Sequence, residues 1–244
     1  MFLNKTIIFC LLLMLLFSPC TASEEDTHTI GSDAAVPLST PEQTGMLDLI
    51  VKEAFARVGE KVTIIGLPSE RSLLNANQGV TDGDLVRIVG LENQYPNLVM
   101  VPEKIWDFEF VAFSKNRNIT LSREWKSLDP YSVGIITGWK ILEQNIHARE
   151  ISKVSTPELL FTLLDKDRVD LVIYNRIEGY GTIKTMHLQG ISVIEPTIES
   201  REMFLYLNKK HGELAQRLAE AIRQMKEDGT FADIVNKSLQ DYLP

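Results

Sequence analysis

LYLNKKHGELAQRLAEAIRQMKEDGTFADIVNK, residues 205–237, decides how the chain is read. The apolar stretch Met203–Leu207 leads into it as a strand. Leu214, Leu218, Ile222 and Met225 then recur at helical spacing between Glu213 and Lys226. Gly229 is placed to close that helix before a last one over Phe231–Leu239. Strand, long amphipathic helix, Asp-Gly turn and short helix make one α/β unit. The same alternation recurs toward the N-terminus. Met46, Leu47, Ile50, Val51, Ala54, Phe55 and Val58 form a helical stripe ended by Gly59, and the β-branched run Lys61–Gly66 follows as a strand. A helix over Ser69–Ala76, a turn at Gly79, Asp82 and Gly83, and a strand over Leu85–Val89 predict a parallel crossover. Further strands are predicted at 98–101, 109–113, 131–136, 169–174 and 191–194. Ser155-Thr156-Pro157-Glu158 is a capping-box pattern with proline in the first turn, ahead of the apolar face Leu159, Leu160, Leu163 and Leu164. Residues 24–33 are polar and acidic and are expected to be a flexible start. The class is α/β, with no internal repeat.

Composition bounds the rest. The chain has 244 residues, 44% hydrophobic and 24% charged. That is room for one large domain or two small ones and excludes disorder, collagen and coiled coil. Lys+Arg is 25 against 33 Asp+Glu, a net −8, so a nucleic-acid partner is not expected. Lys5, the apolar run Ile7–Phe17 and the small residues up to Ser23 read as a secretory signal peptide over 1–23, cleaved after Ala22 or Ser23. The run is too short for a permanent span. Its removal takes away Lys5 and both cysteines, Cys10 and Cys20, so the exported product has neither a disulfide nor a thiol metal ligand. Pro19 stands where a lipoprotein signal wants a small residue, so lipidation of Cys20 is not expected. The mature chain is expected to be soluble and periplasmic.

Motifs for catalysis are missing: there is no GxSxG, HExxH or Walker-type loop. His28, His147, His187 and His211 have no second histidine at ligand spacing, so no metal is expected, and no cofactor motif is present. Asp82/Asp84 and Asp165/Asp167 read as solvated turn residues. Four stretches stand out. Pro68-Ser69-Glu70-Arg71 opens a helix, either as a capped surface turn or as part of a site. In Asp82-Gly83-Asp84-Leu85-Val86-Arg87 a charged residue follows two apolar ones on a strand; Arg87 either ends at a rim or faces a ligand anion, because a buried guanidinium needs a partner. Gly134-Ile135-Ile136-Thr137-Gly138-Trp139 runs from strand to helix start and offers free N–H donors to an anion. Tyr174 and Asn175 end a strand, where open α/β sheets bind ligands, although a core tyrosine and a capping asparagine read equally well.

In this order, PSERSLLNANQGVTDGDLVRI, YPNLVMVPEKI, SVGIITGW, STPELLFTLLDKDRVDLVIYN and the 205–237 block resemble the bacterial extracellular solute-binding proteins of family 3, the amino-acid-type periplasmic binding proteins of ABC transporters. The resemblance covers nearly all of residues 40–240. It implies a two-lobed type II periplasmic binding protein fold with two hinge-crossing segments, near 110–114 and 202–207. Lobe one would be 24–112 plus 204–244, and lobe two 113–203. It implies hinge closure on a small polar or anionic solute, a membrane permease or receptor as partner, a monomer and no catalysis. An arginine from lobe one and helix-start amides from lobe two would hold a carboxylate. Arg87 is the candidate for the first, although its spacing departs from the family's threonine-then-arginine pattern, with Arg71 of the PSER turn second; Glu70 is counted with the ligand-binding residues, and Thr137, Gly138 and Trp139 match the helix-start amides. Family members binding amino acids carry an aspartate where this chain has Asn175, so standard α-amino acids are not the expected ligands, and a small acid or a polar solute stacked on Trp139 is. The alternatives are a cyclohexadienyl-dehydratase-like enzyme, for which Glu70 and Glu178 would be the acid–base candidates, and a ligand-sensing partner of a receptor.

Overall fold

The computed structural model describes residues 27–242, in which two β-sheets share a long strand. The signal peptide, its cleavage point and Cys20 lie outside the described residues. The first sheet contains β1 (Thr27–Ser32), β2 (Lys61–Gly66) and β3 (Gly83–Arg87), parallel in the order β2-β1-β3. Its far side is closed by the antiparallel end of β9 (Ser192–Asn208), which also pairs with the short β4 (Leu98–Met100). The second sheet contains β5 (Trp106–Ser114), β6 (Ser132–Ile136), β7 (Glu150–Val154) and β8 (Leu171–Asn175) in the order β5-β8-β6-β7. There β6 is parallel to β7 and β8, and β5 is antiparallel to β8 and β9.

Two expectations change. Residues 27–32 are not a flexible start but β1, hydrogen-bonded on both edges, with Ile30 fully buried. Thr27, Thr29 and Ile30 are β-branched, and that preference outweighs the polar composition. The strands expected at 191–194 and 203–207 are one 17-residue strand, β9. Its middle, from Glu199 to Met203, is mostly charged and shows no strand pattern; pairing with Trp106–Phe110 of β5 makes it one. The register shifts between those pairs and Ala112↔Ile194. Pro196, which has no N–H to give, falls in the looped-out stretch.

Among the described residues seven α-helices cover the sheets: α1 (Met46–Arg57), α2 (Ser69–Gln78), α3 (Lys140–Asn145), α4 (Pro157–Asp165), α5 (Arg176–Thr185), α6 (Gly212–Glu227) and α7 (Thr230–Leu239). The stripe read from the sequence is the face α6 buries: Leu214, Leu218, Ile222 and Met225 are at most 6% exposed. Each such side chain contributes about 1.5–3 kcal/mol. In α4 the Thr156 hydroxyl accepts the Leu159 N–H at 3.3 Å; proline does open the first turn, but the cap is Thr156, one residue past the Ser155–Glu158 box the sequence suggests, and N3 is Leu159. A continuous apolar core runs from Ile30 and Phe55 through Phe110 and Phe113 to Leu171. The carboxyl ends of β1, β2 and β3 thus face those of β6 and β8, and the cleft between them is where open α/β sheets place ligands.

Candidate solute-binding cleft

On one side of the cleft stands a buried ion cluster. Arg87 is 6% exposed. Its Nε donates to Asp84 Oδ2 at 2.6 Å, Nη1 donates to Ser69 Oγ at 2.9 Å and lies 3.1 Å from Asp33 Oδ1, and Nη2 donates to the Ser69 carbonyl at 3.1 Å. A bulge builds this arrangement. Asp84 and Arg87 pair with Tyr206 and Phe204, three steps against two, so one residue is extra. In a regular strand Asp84 and Arg87 would point to opposite faces; the bulge brings them together. Its cost is Val86 at φ 70°, a left-handed conformation that a β-branched residue rarely adopts. Burial raises the Asp84 carboxyl to about 6 although Arg87 pulls the other way. Asp84 is therefore no solvated turn residue. Burial also disfavours the charge on Arg87, but Asp33 and Asp84 more than offset it and raise its pKa.

The second sheet supplies aromatic and acidic groups. Trp139, after β6, stacks on Tyr174 with ring centroids 4.8 Å apart and 11° between planes, and Phe110 meets it edge-on. Its Nε1–H donates across the cleft to Asp33 Oδ2 at 2.7 Å. Glu178 in α5 is fully buried, and its Oε1 accepts the Ala35 N–H at 2.6 Å. The hydroxyl of Tyr174 and Glu178 Oε2 are buried without a partner. Burial pushes both groups well above their ordinary pKa values, favouring the protonated forms. Lys140 meets Glu70 at 2.5 Å, a third bridge between the two sides.

The residues singled out in the sequence fare differently. Arg87, Gly138, Trp139 and Tyr174 line the cleft, and Glu70 bridges it. Asn175 is buried and caps α5, accepting the Glu178 N–H at 3.1 Å. Arg71 and Thr137 are exposed. The helix-start amides are engaged internally: Thr137 N–H with the Val154 carbonyl, Trp139 N–H with the Ile136 carbonyl, and Gly138 N–H with Glu143 Oε1 at 3.2 Å. Burial would raise the Glu143 carboxyl, but Gly138, Lys140 and Lys153 bring it below its ordinary value. An anion does sit at this helix start, then, and it is the protein's own. Asp33 was missed. Its only sequence signal was that a buried Arg87 requires a carboxylate partner, since the strand before it, β1, shows no pattern of its own.

The recess enclosed by Arg87, Phe108, Phe110 and Trp139 has about 40 Å³ of free volume, enough for about one water. Past Trp139 and Asp33 the cleft opens into a groove of about 720 Å³ lined by Ala35, Gly66, Thr156, Glu158 and Tyr174. Small-molecule pockets have roughly 300–1,000 Å³. Asp33 and Trp139 border both spaces.

This is the two-lobed α/β fold of the periplasmic binding proteins. A histidine kinase sensor domain with similarity to periplasmic binding proteins superposes with a TM-score of 0.77 at 15% identity, over 88% of this chain and 96% of that one. The amino acid ABC transporter substrate-binding protein AbpA of Streptococcus pneumoniae, bound to L-arginine, gives 0.73 at 12% identity, over 89% and 96%. In sequence the chain is 28% identical over 192 residues to an uncharacterized protein of Shewanella oneidensis, covering 75% of this chain and 72% of that protein. It is 23% identical over 224 residues to the L-cystine-binding protein TcyA of Bacillus subtilis, covering 91% and 77%. No family model matches the chain. Apart from the uncharacterized Shewanella protein, these neighbours are binding proteins and a sensor domain, which agrees with a ligand-binding role and is consistent with a non-enzyme. Among the described residues no helix is long and apolar enough to cross a membrane.

Proposed function

We propose that this protein is an exported, monomeric solute-binding protein, and that its cleft captures a small polar solute through an N–H donor, an amine or amide group, for delivery to an ABC-type permease. The lobes are 24–112 plus 204–244 and 113–203, with β5 and β9 between them as the hinge. One observation carries the reading of the solute: Asp33, at the inner wall of the groove, already accepts an N–H from across the cleft, that of Trp139. A solute N–H entering the groove would meet the same carboxylate. An anionic group has less support. Arg87 is shared between Asp33 and Asp84, and the helix-start amide of Gly138 is held by Glu143. The case against α-amino acids rested on Asn175; Asp33 supplies the charge that Asn175 lacks, so amino acids return as candidates. Arg87 then acts by positioning Asp33.

A thermal-shift panel of amines, amino acids, amides and small carboxylic acids on the protein lacking residues 1–23 tests this. Ligand at about 100 times its dissociation constant stabilises by about 2.7 kcal/mol. Shifts are expected from N–H-bearing compounds. Shifts from carboxylic acids alone would overturn the reading. A second reading, ligand sensing at a membrane receptor, is favoured by the likeness to the kinase sensor domain. Crosslinking in native membranes separates the two by whether a permease or a receptor is captured.

A further inference from the structure

A second cluster of ligating side chains lies at the opposite end of β1. His28 is the second residue of that strand, and Asp33, just past its end, is five residues on, about 17 Å away at the strand rise. The rings of His28 and His211 meet edge to face with centroids 4.8 Å apart. His211 Nε2 is 2.7 Å from Asp82 Oδ1, and His28 Nε2 is 3.3 Å from Glu60 Oε2. One ring nitrogen of each histidine and a carboxylate oxygen of Asp82 all lie within 4.8 Å of one another.

We propose that His28, Asp82 and His211, with Glu60 as fourth ligand, form a binding site for a borderline divalent transition metal, zinc being the fitting probe. Two imidazoles and two carboxylates are a donor set zinc accepts, in tetrahedral geometry at about 2.0–2.2 Å. Such a tetrahedron has ligand atoms roughly 3.3–3.5 Å apart, so His28, Asp82 and His211, within 4.8 Å of one another, have to draw together by more than an ångström at the widest pair, and Glu60, which contacts only His28 of the three, has to swing in. The donors come from four separate segments: β1, the end of the α1–β2 turn, the turn before β3, and the entrance to α6. Asp82 is oriented by a further bond, its Oδ2 accepting the Thr29 N–H at 2.8 Å, which leaves Oδ1 toward the histidines. Lys210 at 2.8 Å from Asp82 and Arg217 at 3.3 Å from Glu60 compete with a cation. Both are about half exposed, at 48% and 52%, beside the open depression that the cluster borders, although Lys210 also donates to the Gly79 carbonyl and Arg217 to the Val58 carbonyl. A bound metal would tie the start of β1 to the start of α6. The histidines stand at the two ends of the chain, which is why sequence spacing could not pair them.

The test is calorimetry and thermal unfolding of the chelator-treated protein lacking residues 1–23, titrated with zinc chloride. One equivalent is expected to bind with a dissociation constant of about 10 μM or tighter, near −7 kcal/mol, and to raise the unfolding temperature. His211→Gln and His28→Ala should each weaken binding at least about tenfold. A His147→Ala/His187→Ala double variant should bind as the wild type does, and Lys210→Met should bind more tightly. If His28→Ala does not fold, His211→Gln alone decides, since His211 is partly exposed. Absence of binding, or binding that survives His211→Gln but is lost in the His147/His187 variant, overturns the site. Equal affinity for magnesium would overturn it too, because that ion needs no imidazole.

Discussion

Glu178 is a buried acid whose charge state can be read from stability. Burial raises its carboxyl well above its ordinary value; the Ala35 N–H pulls the other way, and the Asp33 charge adds to the rise. The folded protein therefore keeps a proton that the unfolded chain releases above about pH 4.3. Stability falls as pH rises from there until the folded pKa is reached, by up to about 1.4 kcal/mol per unit. Glu178→Gln, which keeps the acceptor for Ala35, is expected to remove that slope in urea unfolding between about pH 5 and 7; an unchanged slope would mean the acid is ionised in the fold. Arg87 behaves oppositely. Arg87→Ala strands Asp33 and Asp84, and removing one partner of a buried pair costs about 3–5 kcal/mol. Urea unfolding should show that loss, with part of it restored by adding Asp84→Asn. A variant as stable as the wild type would mean that the cluster is not engaged in solution. The sequence shows that Arg87 needs a partner but not which one, because the bulge that turns Asp84 toward it depends on pairing with β9, more than a hundred residues away.

At the scale of elements, closeness across the cleft rests on small residues. Gly181 lies in α5, and a Cβ there would stand 2.1 Å from the Val36 carbonyl oxygen in the segment after β1. Gly138, at φ 91°, would place a Cβ 2.6 Å from the Glu70 amide. Gly181→Ala is expected to leave each sheet folded and to hold the two apart. Small-angle scattering should report a larger radius of gyration, and solute affinity should drop at least about tenfold, roughly 1.4 kcal/mol. An unchanged radius with normal binding would show that α5 and Val36 do not approach in solution. Elements with their own period were legible in the sequence: α1, α6, β2, β6 and β8 all appear close to where apolar spacing puts them. Those stabilised by partners were not. β1 is polar by composition, and the middle of β9 is charged; both become strands because a neighbouring edge supplies hydrogen bonds. The amide cradle expected at Thr137–Trp139 was a local reading as well, and a local carboxylate, Glu143, fills it.

For the whole molecule, the order of strands and helices carries the architecture, and distant contacts carry the site. Asp33 meets Trp139 at a separation of 106 residues, and Ala35 meets Glu178 at 143. No spacing rule reaches that far, so the cleft's location was legible while its polarity was not. With that polarity the cleft brings its own anions to Arg87 and Gly138, and under the proposed function Asp33 receives the solute's donor. Calorimetry of wild type and Asp33→Asn against the strongest N–H-bearing binder, with a small carboxylic acid in parallel, tests this most directly. Asp33→Asn is expected to weaken the donor-bearing solute at least about tenfold, roughly 1.4 kcal/mol, while the protein remains folded. Wild-type binding of the acid alone, strengthened in Asp33→Asn as Arg87 is freed, would contradict a donor-seeking cleft.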